Sequence, residues 1–183
     1  MRAEATSIPG VLVLEPQIHA DERGLFLESY NQQRFDELVG RPVRFVQDNH
    51  SRSRQGVLRG LHYQIHRPQG KLVRVVQGEV FDVAVDIRRS SPMFGQWVGV
   101  TLSAENMRQL WLPEGLAHGF LATSEPADLV YKVTDFYAPE HDRCICWSDP
   151  ELAIQWPLPP GAEPAVSDKD RSGASLGEAE LFP

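Results

Sequence analysis

Lys71-Leu-Val-Arg-Val-Val76, Gln77-Gly78-Glu79 and Val80-Phe-Asp-Val-Ala-Val-Asp86 follow one another without a break, and this stretch decides the fold class. Two runs rich in β-branched residues meet at a glycine. Such runs suit a pleated, half-buried surface, and turn residues between them mark strands rather than helices. The Gln77-Gly78-Glu79 step reads as a hairpin turn. Working outward, comparable runs occupy residues 11–14, 25–30, 44–50, 57–64, 97–102, 108–112, 119–122 and 129–136, and Asp21-Glu-Arg-Gly24 reads as another turn. Helical signals are few. Asn31 is predicted to cap a short helix ending at Val39, with Phe35, Leu38 and Val39 on one face and Gly40 as its stop. About ten short, closely spaced strands predict an all-β sandwich or barrel. Pro157, Pro159, Pro160, Gly161 and Pro164 predict a looser last third.

The chain has 183 residues, 42% hydrophobic and 23% charged, which is ordinary globular usage and excludes a disordered or collagen-like protein. One domain of this length buries enough surface to hold a full core. Eighteen Lys and Arg against 25 Asp and Glu give a net charge of −7. That balance argues against a nucleic-acid partner, because phosphate backbones need a broad basic surface. It still leaves room for a small cationic pocket. Cys144 and Cys146 are too close for ordinary disulfide geometry and too few for a zinc cluster, so they read as free thiols on a strand. No run approaches the roughly 20 apolar residues of a membrane span, and Met1–Ser7 lacks a signal-peptide pattern. No membrane partner and a cytoplasmic location are therefore expected.

The densest polar cluster within strand-like sequence is Leu58-Arg59-Gly60-Leu61-His62-Tyr63-Gln64. Strict alternation sends Arg59 and His62 to opposite faces, whereas a bulge at Gly60 would bring them together. His62 is then either a structural histidine or a base. Arg23, Arg52, Arg54, Arg59, Lys71 and Arg74 either converge on an anion pocket or lie scattered in solvent. Tyr131, mid-strand among apolar neighbours, reads as a packing residue with a hydrogen-bonded hydroxyl. Ser167-Asp168-Lys169-Asp170 either forms a solvated turn or delivers a carboxylate that orients His62. In Pro113-Glu-Gly-Leu-Ala-His118-Gly-Phe120, the Pro-x-Gly-x-x-His spacing resembles the second half of a cupin motif. The first half lacks its ligands: Gln64 stands where the second histidine belongs, and His66 lies beyond that spacing. No metal site is expected there.

Together these segments resemble the dTDP-4-dehydrorhamnose 3,5-epimerase family. The resemblance rests on Asp21-Glu-Arg-Gly-Leu-Phe-Leu-Glu28, Gln47-Asp48-Asn49, Leu58-Arg-Gly-Leu-His-Tyr63, Gln69-Gly-Lys-Leu-Val-Arg74, the Pro113–Phe120 segment, Val130-Tyr-Lys132, Tyr137-Ala-Pro-Glu140 and Lys169-Asp170, in that order. It implies a cupin-type jelly roll with a few short helices, one domain over residues 1–183, a homodimer, and neither metal nor other cofactor. It implies that His62 is the general base, Asp170 its carboxylate partner, Tyr131 the general acid and Lys71 the cation beside the keto oxygen. Arg23, Glu28, Gln47, Asp48, Asn49, Arg59, His118 and Lys169 match substrate-binding positions. Asp142 stands where the family usually has glutamate. The implied substrate is a dTDP-4-keto-6-deoxy sugar, inverted at C3 and C5 through an enolate. The alternatives are a single-centre epimerase or ketoisomerase on related substrates, a metal-dependent cupin, and a non-catalytic sugar-nucleotide binding module.

Overall fold

The computed structural model describes residues 1–183. In chain order the strands are β1 (Arg2–Ala5), β2 (Leu12–Glu15), β3 (Ile18–Asp21), β4 (Gly24–Leu27), β5 (Gln47–Ser53), β6 (Leu58–Gln64), β7 (Lys71–Gln77), β8 (Glu79–Asp86), β9 (Trp97–Ser103), β10 (Gln109–Leu112), β11 (Leu116–Ala122), β12 (Ala127–Val133) and β13 (Asp142–Cys144). The helices are α1 (Gln32–Val39) and α2 (Asp168–Arg171). Six strands form one antiparallel sheet in the order β1-β2-β10-β7-β12-β5, and five form a second in the order β13-β6-β11-β8-β9. The remaining pair, β3-β4, is a separate hairpin turning between Asp21 and Gly24.

The sheets face each other across a shared core. Val13, Val73, Leu110 and Leu129 come from the six-stranded sheet and meet Val80, Leu102, Leu116 and Phe120 from the other. This is a jelly roll: each sheet turns one face into this core, and alternation along each strand selects which residues enter.

The deciding stretch forms β7 and β8, but they do not pair. Gly78 turns the chain at φ 73°, and the turn carries it from one sheet to the other. The expected hairpin is thus a corner, with β7 between β10 and β12 and β8 between β11 and β9. The strand expected at 44–50 begins instead at Gln47, because Phe45 packs against the helix. Strands β1 and β3 had no clear signal, and of the strand expected at the two cysteines only Cys144 belongs to β13.

The helix forms as expected. The Asn31 side chain accepts from the Arg34 N–H, and Gly40 ends the helix in the left-handed region at φ 79°. Its Phe35 is fully buried and meets Trp111 edge-on at 5.2 Å, covering the outer face of the six-stranded sheet with Leu14, Val43 and Leu72. The proline-rich last third is irregular yet packed. Leu152, Leu176 and Ala179 close over Leu61, Tyr63, Val83 and Val85 on the outer face of the five-stranded sheet.

Candidate active site

One end of the space between the sheets stays open as a cavity of about 280 Å³, with Arg59, His62, Lys71, His118, Tyr131, Asp142 and Lys169 in its wall. Its geometry starts at Gly60. Opposite β11, His62 pairs with His118 and Arg59 with Phe120, so β6 spends one extra residue and bulges. The bulge puts Arg59 and His62 on the same wall, as only a break in alternation can. Gly60 adopts φ 124°, a conformation that favours glycine.

His62 Nε2 lies 2.5 Å from Asp170 Oδ1. The carboxylate arrives on α2, whose N-cap Ser167 also donates its hydroxyl to Asp170 Oδ2 at 2.8 Å. Burial raises the Asp170 carboxyl, but the hydrogen bonds from His62 and Ser167 outweigh it and hold the group below its ordinary value. An ionised Asp170 fixes a proton on Nε2 and leaves Nδ1 as the nitrogen that can accept one.

Lys71 is buried, and its ammonium donates to the His62 carbonyl at 3.3 Å. Burial brings it down to about 8, partly opposed by the carboxylates of Asp82 and Asp142. Asp82, fully buried on β8, accepts from His118 Nε2 at 2.9 and 3.0 Å. Burial depresses His118 against that carboxylate. Tyr131 faces this group from the other sheet, its phenol raised by burial and so kept protonated. At the rim, Asp142 accepts from the Tyr137 hydroxyl at 3.1 Å and pairs with Lys169.

Not all the expected residues reach this cavity. Gln47 and Asn49 bond each other at 2.8 Å and share the strand face of Ser51, which lines the wall. Asp48 alternates to the outer face and binds Lys132 at 3.0 Å, away from the others. Arg23 is exposed on the β3-β4 hairpin and pairs with Asp21, while Glu28, just beyond β4, accepts from Asn31. Neither lines the cavity. Arg52 turns outward to Asp128, and Arg74 lines a separate groove on the outer face. The cations that gather are Arg59, Lys71 and Lys169.

Several site residues had escaped attention. Asp82 shares parity with Val80 and Ala84 in a strand buried on both faces, which was signal enough. Tyr137 sits in a quoted motif without an assigned role. Ser51 Oγ is buried and has no hydrogen-bond partner, so it offers the cavity a free polar atom. Of the two thiols, Cys144 lies on β13 opposite His62, and Cys146 follows the strand. Burial and the nearby Asp170 push the Cys144 thiol up to about 12. The cupin metal position does not fit a metal here. His118 is taken by Asp82, and the Gln64 amide donates to the carbonyls of Arg67 and Phe136 while accepting from Ala138 N–H.

A cupin-type jelly roll with a His–Asp couple, a facing tyrosine and a buried lysine defines a class of acid–base isomerase. The chain belongs to the dTDP-4-dehydrorhamnose 3,5-epimerase family, whose model matches residues 5–178. It is 61% identical over 183 residues to the dTDP-4-dehydrorhamnose 3,5-epimerase of Pseudomonas aeruginosa, covering all of both chains. Its fold is similar to a dTDP-6-deoxy-D-glucose-3,5-epimerase from Legionella pneumophila in complex with dTDP-4-keto-L-rhamnose, with TM-score 0.95, 53% identity and coverage of 99% and 97% of the two chains. A 3'-monoepimerase from Streptomyces bikiniensis in complex with dTDP-quinovose is also similar, with TM-score 0.89, 36% identity and coverage of 97% and 88%. No helix is long and apolar enough to cross a membrane.

Proposed function

We propose that this protein inverts C3 and C5 of dTDP-4-dehydro-6-deoxy-D-glucose to give dTDP-4-dehydro-L-rhamnose, with His62 as base and Tyr131 as acid. The observation that carries the mechanism is their placement. His62 stands on β6 of the five-stranded sheet and Tyr131 on β12 of the six-stranded sheet, so a sugar ring between them has one on each side.

The C4 carbonyl makes the protons at C3 and C5 acidic, because each adjacent carbanion is an enolate. His62 Nδ1 takes the proton, and the Asp170 carboxylate stabilises the imidazolium at Nε2. The electron pair moves onto the C4 oxygen, where the buried Lys71 ammonium meets the developing charge. Tyr131 then returns a proton to the carbon from the opposite face, and configuration inverts. Arg59 and Lys169 supply charge for the diphosphate, Arg59 with a fork suited to phosphate oxygens. His118, Asn49, Gln47 and Asp142 complete the binding set. No step requires a metal or redox cofactor.

The reading includes one catalytic domain over residues 1–183, a cytoplasmic location and a homodimer. Support for the dimer comes from the β3-β4 hairpin, which exposes 72% of Phe26 and 54% of Leu25. Arg23 and Glu28 sit on or beside it, outside their own cavity, and would bind substrate in the cavity of a second copy. Incubation with the 4-keto substrate in deuterated water tests the chemistry. Deuterium at both C3 and C5 is expected; deuterium at one centre makes the enzyme a mono-epimerase, and none at either overturns the reading.

A further inference from the structure

We propose that His62 Nε2, Cys144 Sγ and Asp170 Oδ1 form a latent site for a thiophilic divalent cation such as Zn²⁺, and that its occupancy shuts the enzyme off. The three ligand atoms all lie within 4.8 Å of one another. They come from three places that the fold holds together. Cys144 on β13 is the direct cross-strand partner of His62 on β6, so their side chains share a face, and α2 brings Asp170 against both.

The distances are close to what a tetrahedral zinc needs. Bonds of about 2.0–2.3 Å to N, O and S place neighbouring ligand atoms about 3.3–3.6 Å apart. Cys144 Sγ is 3.9 Å from Asp170 Oδ1, a few tenths too far. His62 Nε2, at 2.5 Å from the same oxygen, must part from it by about an ångström, which converts their hydrogen bond into two metal bonds. His62 has room to make that move, since 31% of its side chain is exposed toward the cavity. Three protein ligands leave the fourth tetrahedral position to a water. On binding, the thiol proton and the Nε2 proton leave to solvent, and no electron changes hands.

The site differs from the cupin metal position, which draws on His118. It also uses a residue without a part in the proposed chemistry: the Cys144 thiol donates only to the Ile145 carbonyl and to Asp170 Oδ1. Inhibition follows from charge. A cation takes the place from which the Asp170 carboxylate stabilises the imidazolium, so protonation of His62 becomes unfavourable.

The inhibitory half of the inference rests on His62 being the base; the binding half does not, and the experiment separates them. Substrate-free protein is titrated with Co²⁺ and followed for the thiolate-to-cobalt charge-transfer absorption of a tetrahedral site. Wild type and Cys146→Ser are expected to show it at one equivalent, and Cys144→Ser to lose it. Activity is then titrated with Zn²⁺. Even an outer-shell partner is worth about 10–100-fold in metal affinity, so Cys144→Ser, active without metal, should need at least about tenfold more Zn²⁺ for half-inhibition. Any effect of zinc on the substrate's diphosphate would be the same in both proteins. Absence of the band in wild type, its loss in Cys146→Ser but not in Cys144→Ser, or inhibition of wild type and Cys144→Ser at the same zinc concentration each overturns the proposal. A band without any inhibition keeps the site and counts against His62 as base.

Discussion

A Cβ atom built on Gly60 would lie 2.5 Å from the Cα of Gly119, so the backbones of β6 and β11 touch beside His62. The contact is backbone to backbone, with no flexible side chain to give way, and Gly60 is also held at φ 124°. Gly60→Ala should therefore cost at least about 2–3 kcal/mol and reset the bulge that aims Arg59 and His62. Urea unfolding measures the first effect, and loss of turnover out of proportion to loss of folded protein measures the second. A midpoint equal to the parent's would show that the contact relaxes freely.

Base and acid on facing sheets should come apart under mutation. His62→Asn removes proton abstraction, so turnover and deuterium wash-in should fall together by about 10²–10⁴-fold. Tyr131→Phe leaves the base intact. Deuterium should still enter from solvent while inversion lags well behind it, as NMR of the recovered sugar would reveal. Equal loss of exchange and inversion in Tyr131→Phe would place the acid elsewhere.

Lys71 gives a signed pH dependence. It must be charged to stabilise an enolate, and burial brings it to about 8, so kcat should decline as pH rises through that value. Stability moves the other way. Between about 8 and 10.5 the unfolded chain holds the lysine proton more tightly than the folded one, so this group adds stability as pH climbs through that window. NMR titration of the Lys71 side chain checks the value directly. Asp82→Asn removes a carboxylate that supports the ammonium and should shift both the titration and the alkaline limb to lower pH.

The exposed hairpin makes a prediction about assembly. Phe26→Asp places a charge on the most exposed large apolar side chain. Sedimentation should shift toward monomer, and dTDP binding should weaken even though the residue lies outside its own cavity. A monomeric parent protein would refute the shared-site arrangement.

How much could be read in advance depended on how local the cause was. The α1 boundaries follow from Asn31 and Gly40 because a cap acts within a few residues. The bulge was readable because Gly60 separates two polar residues that alternation would otherwise divide. The Gln77-Gly78-Glu79 turn was visible, but whether its two strands pair with each other depends on partners elsewhere in the chain, such as Leu129 opposite Val75 and Val100 opposite Asp82. Within Gln47-Asp48-Asn49 strand alternation turns Asp48 outward, away from its two neighbours. The last third reads as loose because its apolar residues follow no period: Leu152, Leu176 and Ala179 plug a sheet face without forming an element.

Asp170 is separated from His62 by 108 residues of chain. During synthesis both sheets can be complete, with tyrosine and lysine in place, while the histidine still lacks its carboxylate. In the proposed mechanism proton abstraction switches on late, once the irregular tail has docked. A nick between Cys144 and Asp170 that frees the tail would part His62 from its carboxylate and uncover Leu61, Tyr63, Val83 and Val85 in one step.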